Sequence, residues 1–295
     1  MARQASAASL IGTEEPAWQP AAPSTPSKTA EQENFPVGSW LLPPRLRSHI
    51  ARYYAFARAA DDIGDHPDLS PLDKIVALDR LEAVLAGADP VTDAERSAAR
   101  LRASLAETRV DPRCASDLLI AFRQDAWKRR YRDWADLIGY CRNSANPVGR
   151  YLLALHGESD GTHAPSDALC TSLQILNHLQ DLKDDYRQLD RVYLPLPWFT
   201  EHGLTPAALD SPRADTAMRR MIDRALDGVD DLNRTAARLP GLVHDRRMRM
   251  EAAVIVRVAR RLAQRLRAGD PLAGRVALSR VDKLACVAGG IQRGW

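Results

Sequence analysis

The chain has 295 residues, 45% hydrophobic and 27% charged, an ordinary balance for a folded protein able to bury a sizeable core. Its 41 basic and 38 acidic residues leave a net charge of +3, which gives no case for a nucleic-acid partner. No run of about 20 apolar residues is present to span a bilayer, and four widely spaced cysteines (Cys114, Cys141, Cys170 and Cys286) with no CxxC pair read as reduced core thiols of a cytoplasmic protein.

Residues 1–33 are rich in Ala, Ser, Pro and Gln and lack the basic and apolar regions of a signal peptide, so a disordered tail is expected there. From Pro43 onward the apolar periodicity is helical, with little alternation of period two. It predicts helices over about 44–63, 71–87, 92–108, 112–124, 132–155, 165–187, 205–211, 213–238, 242–268 and 274–290. Ser70-Pro71 and Asp111-Pro112 open two of them, and Pro195 with Pro197 ends a polar connection. No internal repeat or composition shift divides residues 34–295, so one all-α domain is expected, a single helical bundle.

Two acidic stretches stand out against this background: Asp61-Asp62-Ile63-Gly64-Asp65, and Asn177 to Asp185. Asp61 and Asp65 stand four apart, and Asn177, Asp181 and Asp185 repeat that interval twice, so each set projects oxygen ligands from one helix face. Each like-charged pair costs an isolated helix roughly 0.2–0.5 kcal/mol. Both sets are expected at helix C-terminal ends, where the macrodipole opposes them, so local stability does not account for them. Hard divalent cations holding a diphosphate do, because Mg²⁺ prefers a few carboxylates plus waters and phosphate oxygens. Asp61, Asp62, Asp65, Asn177, Asp181 and Asp185 are therefore the expected metal set, with Asp62 standing behind the others. Two helices of an up-and-down bundle would bring the sets together at one mouth of a central apolar cavity.

Arg58 and Arg191 are placed to make bidentate contacts to diphosphate oxygens, against the plainer alternative of surface ion pairs. Ionisation of a carbon–oxygen bond would leave a carbocation needing electron-rich walls, for which Phe35, Tyr54, Tyr140 and Tyr193 are candidates, although each also fits an ordinary core. The segment Tyr140 to Gly149 contains small residues (Ser144, Ala145 and Gly149) that allow close approach of a ligand or a helix, and Pro147 is expected to kink it. Eight arginines between Arg246 and Arg267 crowd one late helix, as a solvated face or as a contact to an anionic membrane surface.

These residues together resemble the squalene and phytoene synthase family over about residues 34–287. The pattern Y-x-x-x-R-x-x-D-D-x-x-D is filled by Tyr54, Arg58, Asp61, Asp62 and Asp65; Q-x-x-N-x-x-x-D-x-x-x-D by Gln174, Asn177, Asp181 and Asp185; and R-x-Y-L-P by Arg191, Tyr193, Leu194 and Pro195. Tyr140, with Ala145, Val148 and Gly149 after it, matches a fourth motif. The resemblance implies an isoprenoid synthase fold, Mg²⁺ and a prenyl diphosphate substrate, with Gln174 and Tyr140 facing the reacting carbons and Tyr54 and Tyr193 shaping the pocket.

Two departures narrow it. Glu33-Asn34-Phe35-Pro36-Val37 replaces a serine-rich opening, and Gln180 stands where these enzymes often carry Arg. With Tyr-Cys-x-x-Ser-Ala-x-Pro-Val-Gly they resemble the bacterial hydroxysqualene synthase branch of hopanoid biosynthesis. That branch implies ionisation of presqualene diphosphate and capture by water. A presqualene diphosphate or squalene synthase condensing two farnesyl diphosphates, and a non-catalytic assembly factor of the same fold, are the competing expectations. An apolar product would further imply peripheral contact with the inner membrane surface and with neighbouring enzymes of the squalene pathway.

Overall fold

Several of the main helices start where a side chain satisfies a first-turn backbone donor, and others open on proline instead. In the computed structural model, which describes residues 43–294, the helices are α1 (Pro44–Asp65), α2 (Pro71–Ala86), α3 (Asp93–Thr108), α4 (Arg113–Asp125), α5 (Trp134–Ser144) and α6 (Asn146–Leu155). They continue as α7 (His163–Gln180), α8 (Leu182–Leu189), α9 (Leu196–Glu201), α10 (Thr216–Ala236), α11 (Leu239–Leu242), α12 (Arg246–Ala268) and α13 (Arg280–Gly294). Ser70, Thr92, Asp133, Asp215 and Asp245 accept from the amides of Asp73, Glu95, Asp136, Met218 and Met248. Each such cap contributes about 1 kcal/mol. Among the described residues no strand forms; Arg130 and Val192 make one isolated bridge.

The expected helix over 132–155 is broken at Ala145, because Pro147 has no N–H to offer the carbonyl of Asn143. The expected helix over 165–187 is broken at Asp181, where no Gly or Pro stands. Its break is tertiary: Gln180 Nε2 donates to Val276 O at 2.6 Å, and Lys183 Nζ donates to Ser211 O at 2.9 Å and Leu272 O at 3.2 Å. The last helix starts at Arg280 rather than 274, since Ser279 and Asp282 cap each other reciprocally. Residues 206–210 form a 3₁₀ turn, and the short α9 has no counterpart among the predicted elements. Phe35 and the tail 1–33 lie outside the described residues.

Helix α1 packs on α2, α3 and α4, while α7 packs on α5, α6, α10 and α12. Buried polar cross-links fix these faces, among them Tyr53 Oη to Cys114 O at 2.7 Å and Ser172 Oγ to Asn233 Oδ1 at 2.8 Å. Gly149 lets α6 approach α7 closely: a Cβ there would stand 2.5 Å from Ser166 Oγ and 2.6 Å from Cys170 Sγ. All four cysteines are free thiols. The arginines of α12 are largely fasteners, as Arg261 and Arg265 hold Asp282 while Arg267 holds Asp227 and Asp230.

Candidate active site

Between the α1 side and the α7 side of the bundle lies a cavity of about 300 Å³. Its body is apolar and aromatic, with Ile50, Tyr53, Phe122, Val148, Leu152 and Leu173 in the wall. Five carboxylates (Asp61, Asp65, Asp125, Asp181 and Asp185) also line it, against two arginines, Arg58 and Arg191. That imbalance leaves the lining short of positive charge.

The first acidic set rides on the last turn of α1. Arg58 donates from Nη1 to Asp61 Oδ2 at 2.9 Å and from Nη2 to Asp62 Oδ1 at 2.7 Å. Asp61 keeps 36% of its side-chain surface and lines the cavity. Burial, then the neighbouring Asp65, push its carboxyl up to about 7, and Arg58 offsets only part of this. Arg191 Nη2 reaches Asp65 Oδ1 at 3.0 Å, and Lys74 Nζ donates to Gly64 O at 2.8 Å, placing a cation at the helix end.

The second set is not continuous helix. Asp181 is the junction residue, and Asp185 lies in the first turn of α8, its N–H donating to Asp181 O at 2.8 Å. The expectation that both sets oppose a macrodipole therefore holds for α1 and fails for Asp185, which sits at a favourable helix N-terminus. Asp181 is paired with Arg275 from the loop between α12 and α13. That arginine is 94 residues away in sequence, and no local pattern announces it.

Asp190, in the left-handed conformation at φ 50°, ends α8 and turns the chain back so that Arg191 enters the interior. Burial works against the Arg191 charge, but Asp125, Tyr193 and Asp65 outweigh it and raise its pKa. Tyr140 Oη donates to Asp125 Oδ2 at 2.9 Å, and Asp125 Oδ1 stands 4.0 Å from Arg191 Nε. Burial pushes the Asp125 carboxyl up to about 6, while Arg191 holds it down. Tyr193 stacks on His178, ring centroids 3.4 Å apart, and Gln174 Nε2 lies 3.3 Å from His178 Nε2.

Tyr54, Arg58, Asp61, Asp65, Tyr140, Gln174, Asn177, Asp181, Asp185, Arg191 and Tyr193 thus come together around one cavity. Asp62 does not line it; its carboxylate is held by Arg58, behind the other members of the set. Asp125, His178 and Arg275 went unnoticed in the sequence. The first had a signal, since it lies four residues after Ala121 and seven after Leu118 on the buried face of α4.

Among the described residues no three His, Cys, Asp or Glu side chains close on one point as a protein-only metal cage does. The donor set instead fits Mg²⁺, which takes one or two carboxylates and completes its shell with water and phosphate oxygens. Asp61 and Asp65 on one edge, and Asn177, Asp181 and Asp185 on the other, are the residues that would hold it.

An all-helical bundle around an apolar cavity with two acidic edges defines a class, and the model for squalene/phytoene synthase matches residues 28–282; the chain belongs to that family. Within it, the chain is 43% identical to the hydroxysqualene synthase of Rhodopseudomonas palustris, with 86% of each chain covered. It is 40% identical to that of Sinorhizobium fredii, again over 86% of each. A squalene synthase from Alicyclobacillus acidocaldarius superposes with a TM-score of 0.68 at 33% identity, covering 79% of this chain and 87% of the other. A dehydrosqualene synthase in complex with a ligand shares the fold at a TM-score of 0.74 and 21% identity, over 86% and 88%. No helix among the described residues is long and apolar enough to cross a membrane.

Proposed function

We propose that this chain is a Mg²⁺-dependent hydroxysqualene synthase that converts presqualene diphosphate and water to hydroxysqualene and diphosphate. The observation that carries the reading is the cavity itself, an apolar and aromatic chamber whose polar lining is acidic at two facing edges. The names of relatives at 40% and 43% identity support the same reaction. Bound Mg²⁺ would act as a Lewis acid toward the departing diphosphate.

The chain's own residues do the rest. Arg58 and Arg191, already held at the acidic edges, turn their guanidinium donors to diphosphate oxygens. The carbon–oxygen bond breaks with its electron pair leaving on diphosphate, the cyclopropane opens, and a C30 cation remains in the cavity. Tyr53, Tyr140, Phe122 and Tyr193 present aromatic groups to it, each worth about 0.5–2 kcal/mol. Water then bonds to the cation. Delivery of so apolar a product favours a cytoplasmic enzyme in loose contact with a membrane surface, which flotation with anionic liposomes at low salt tests.

The decisive experiment supplies purified protein with Mg²⁺ and presqualene diphosphate, without NADPH, and reads extracted products by mass spectrometry. A C30 alcohol that disappears with chelator is the expected result. Conversion of farnesyl diphosphate to presqualene diphosphate instead would move the chain one reaction earlier. Inactivity on both substrates would leave the non-catalytic reading.

A further inference from the structure

Ser144 is the last residue of α5 and lines the cavity, yet its Oγ is buried with no hydrogen-bond partner in the protein. A helical serine ordinarily bonds back to the carbonyl four residues earlier, here Tyr140, and this one does not. Buried hydroxyls without a partner are costly, and water is the usual remedy.

The register of two helices decides what faces it. The Tyr140 ring lies 6.0 Å from the His178 ring, and Thr171 Oγ1 donates to Asn146 Oδ1 at 2.9 Å. Residues 140–146 therefore run antiparallel to 171–178. Ser144, one turn after Tyr140, stands opposite Gln174, one turn before His178, and both line the cavity. As placed, Ser144 Oγ is closed to water, but a turn about the Ser144 Cα–Cβ bond would open it to the cavity. A water between its hydroxyl and the Gln174 amide then gains the two polar partners that a buried water needs, while Val148, Leu152 and Leu173 nearby in the wall give it none.

We infer that Ser144, with Gln174, holds the water that captures the C30 cation, and so decides between an alcohol and a hydrocarbon as product. This rests on the proposed function. A lone pair of the held water forms the new carbon–oxygen bond, and its surplus proton passes to the diphosphate just released. Without that water the cation gives the same base a proton from a carbon next to the charge, and a C30 hydrocarbon forms. Neither route needs an oxidant or a reductant.

The test follows alcohol and hydrocarbon by mass spectrometry, and diphosphate release separately, with Mg²⁺ and presqualene diphosphate in ¹⁸O-labelled water. In Ser144→Ala the ratio of labelled alcohol to hydrocarbon falls about tenfold, and the loss falls on that ratio far more than on diphosphate release. Ser144→Thr keeps a hydroxyl and keeps the ratio within about twofold. If circular dichroism shows that Ser144→Ala does not fold, Ser144→Cys, similar in size with a weak donor, is read in the same way. An unchanged ratio, or equal losses in both readouts, overturns the inference alone; absence of turnover by the parent protein overturns the functional reading and the inference with it.

Discussion

The two acidic edges of the cavity present the same kind of oxygen ligand but are built differently. The α1 edge is local: Arg58, Asp61, Asp62 and Asp65 lie within two turns of one helix, at its unfavourable end. The opposite edge is assembled from afar, with Asp181 at a helix break, Asp185 at a favourable helix start, and Arg275 brought from another loop. Behind the first edge lies Arg191, buried among Asp65, Asp125 and Tyr193. A buried guanidinium therefore braces one edge, and a half-exposed one braces the other. The difference teaches that charge balance at the first edge belongs to the core, whereas at the second it belongs to a surface loop.

The largest test of that contrast removes Arg191, whose side chain is only 4% exposed. Arg191→Met leaves two carboxylates without their shared counter-charge and lowers the unfolding free energy by about 3–5 kcal/mol in urea melts. For turnover the edges are expected to be equals: Asp61→Asn and Asp181→Asn each lower kcat on presqualene diphosphate by about a hundredfold or more, followed by diphosphate release. If one edge proved dispensable, the facing-edge reading of the cavity would fall.

Asp125 sharpens the comparison through pH. Its native carboxyl keeps a proton to about pH 6, against an ordinary value of 3.8, so the native state binds more protons than the unfolded chain in between. Native stability on this account falls as pH rises from about 4 to 6, and the cost is fully present above that window. Asp125→Asn flattens the slope, a difference of roughly 1–3 kcal/mol across the window, visible in urea melts at pH 4.5 and 7. The smallest effect belongs to Arg275, 41% exposed beside an Asp181 that is 6% exposed. Arg275→Met costs about 1 kcal/mol or less in stability, and a loss matching that of Arg191→Met would erase the contrast.

Much of this was legible in the residues because it is local. The interval of four between Asp61 and Asp65, and the Pro at position 147, act through helix geometry that no partner has to supply. The reciprocal Ser279-Asp282 cap is equally local, and it sets the start of the last helix at Arg280 rather than 274. The residues Tyr54, Arg58, Tyr140, Gln174, Arg191 and Tyr193 were found through motifs, and the fold brought them to one cavity.

An all-helical chain, most of its helix starts and the two oxygen-rich faces are thus written in the residues themselves, since periodicity, capping and i to i+4 spacing are set within a few residues. The break at Asp181, the pairing of Arg275 with it, the burial of Asp125 against Tyr140 and Arg191, and the gathering of Ser144 and Gln174 into one cavity wall came from the fold alone. Those depend on which helices pack and in what register, and packing is a sum over the whole core rather than a property of any one stretch.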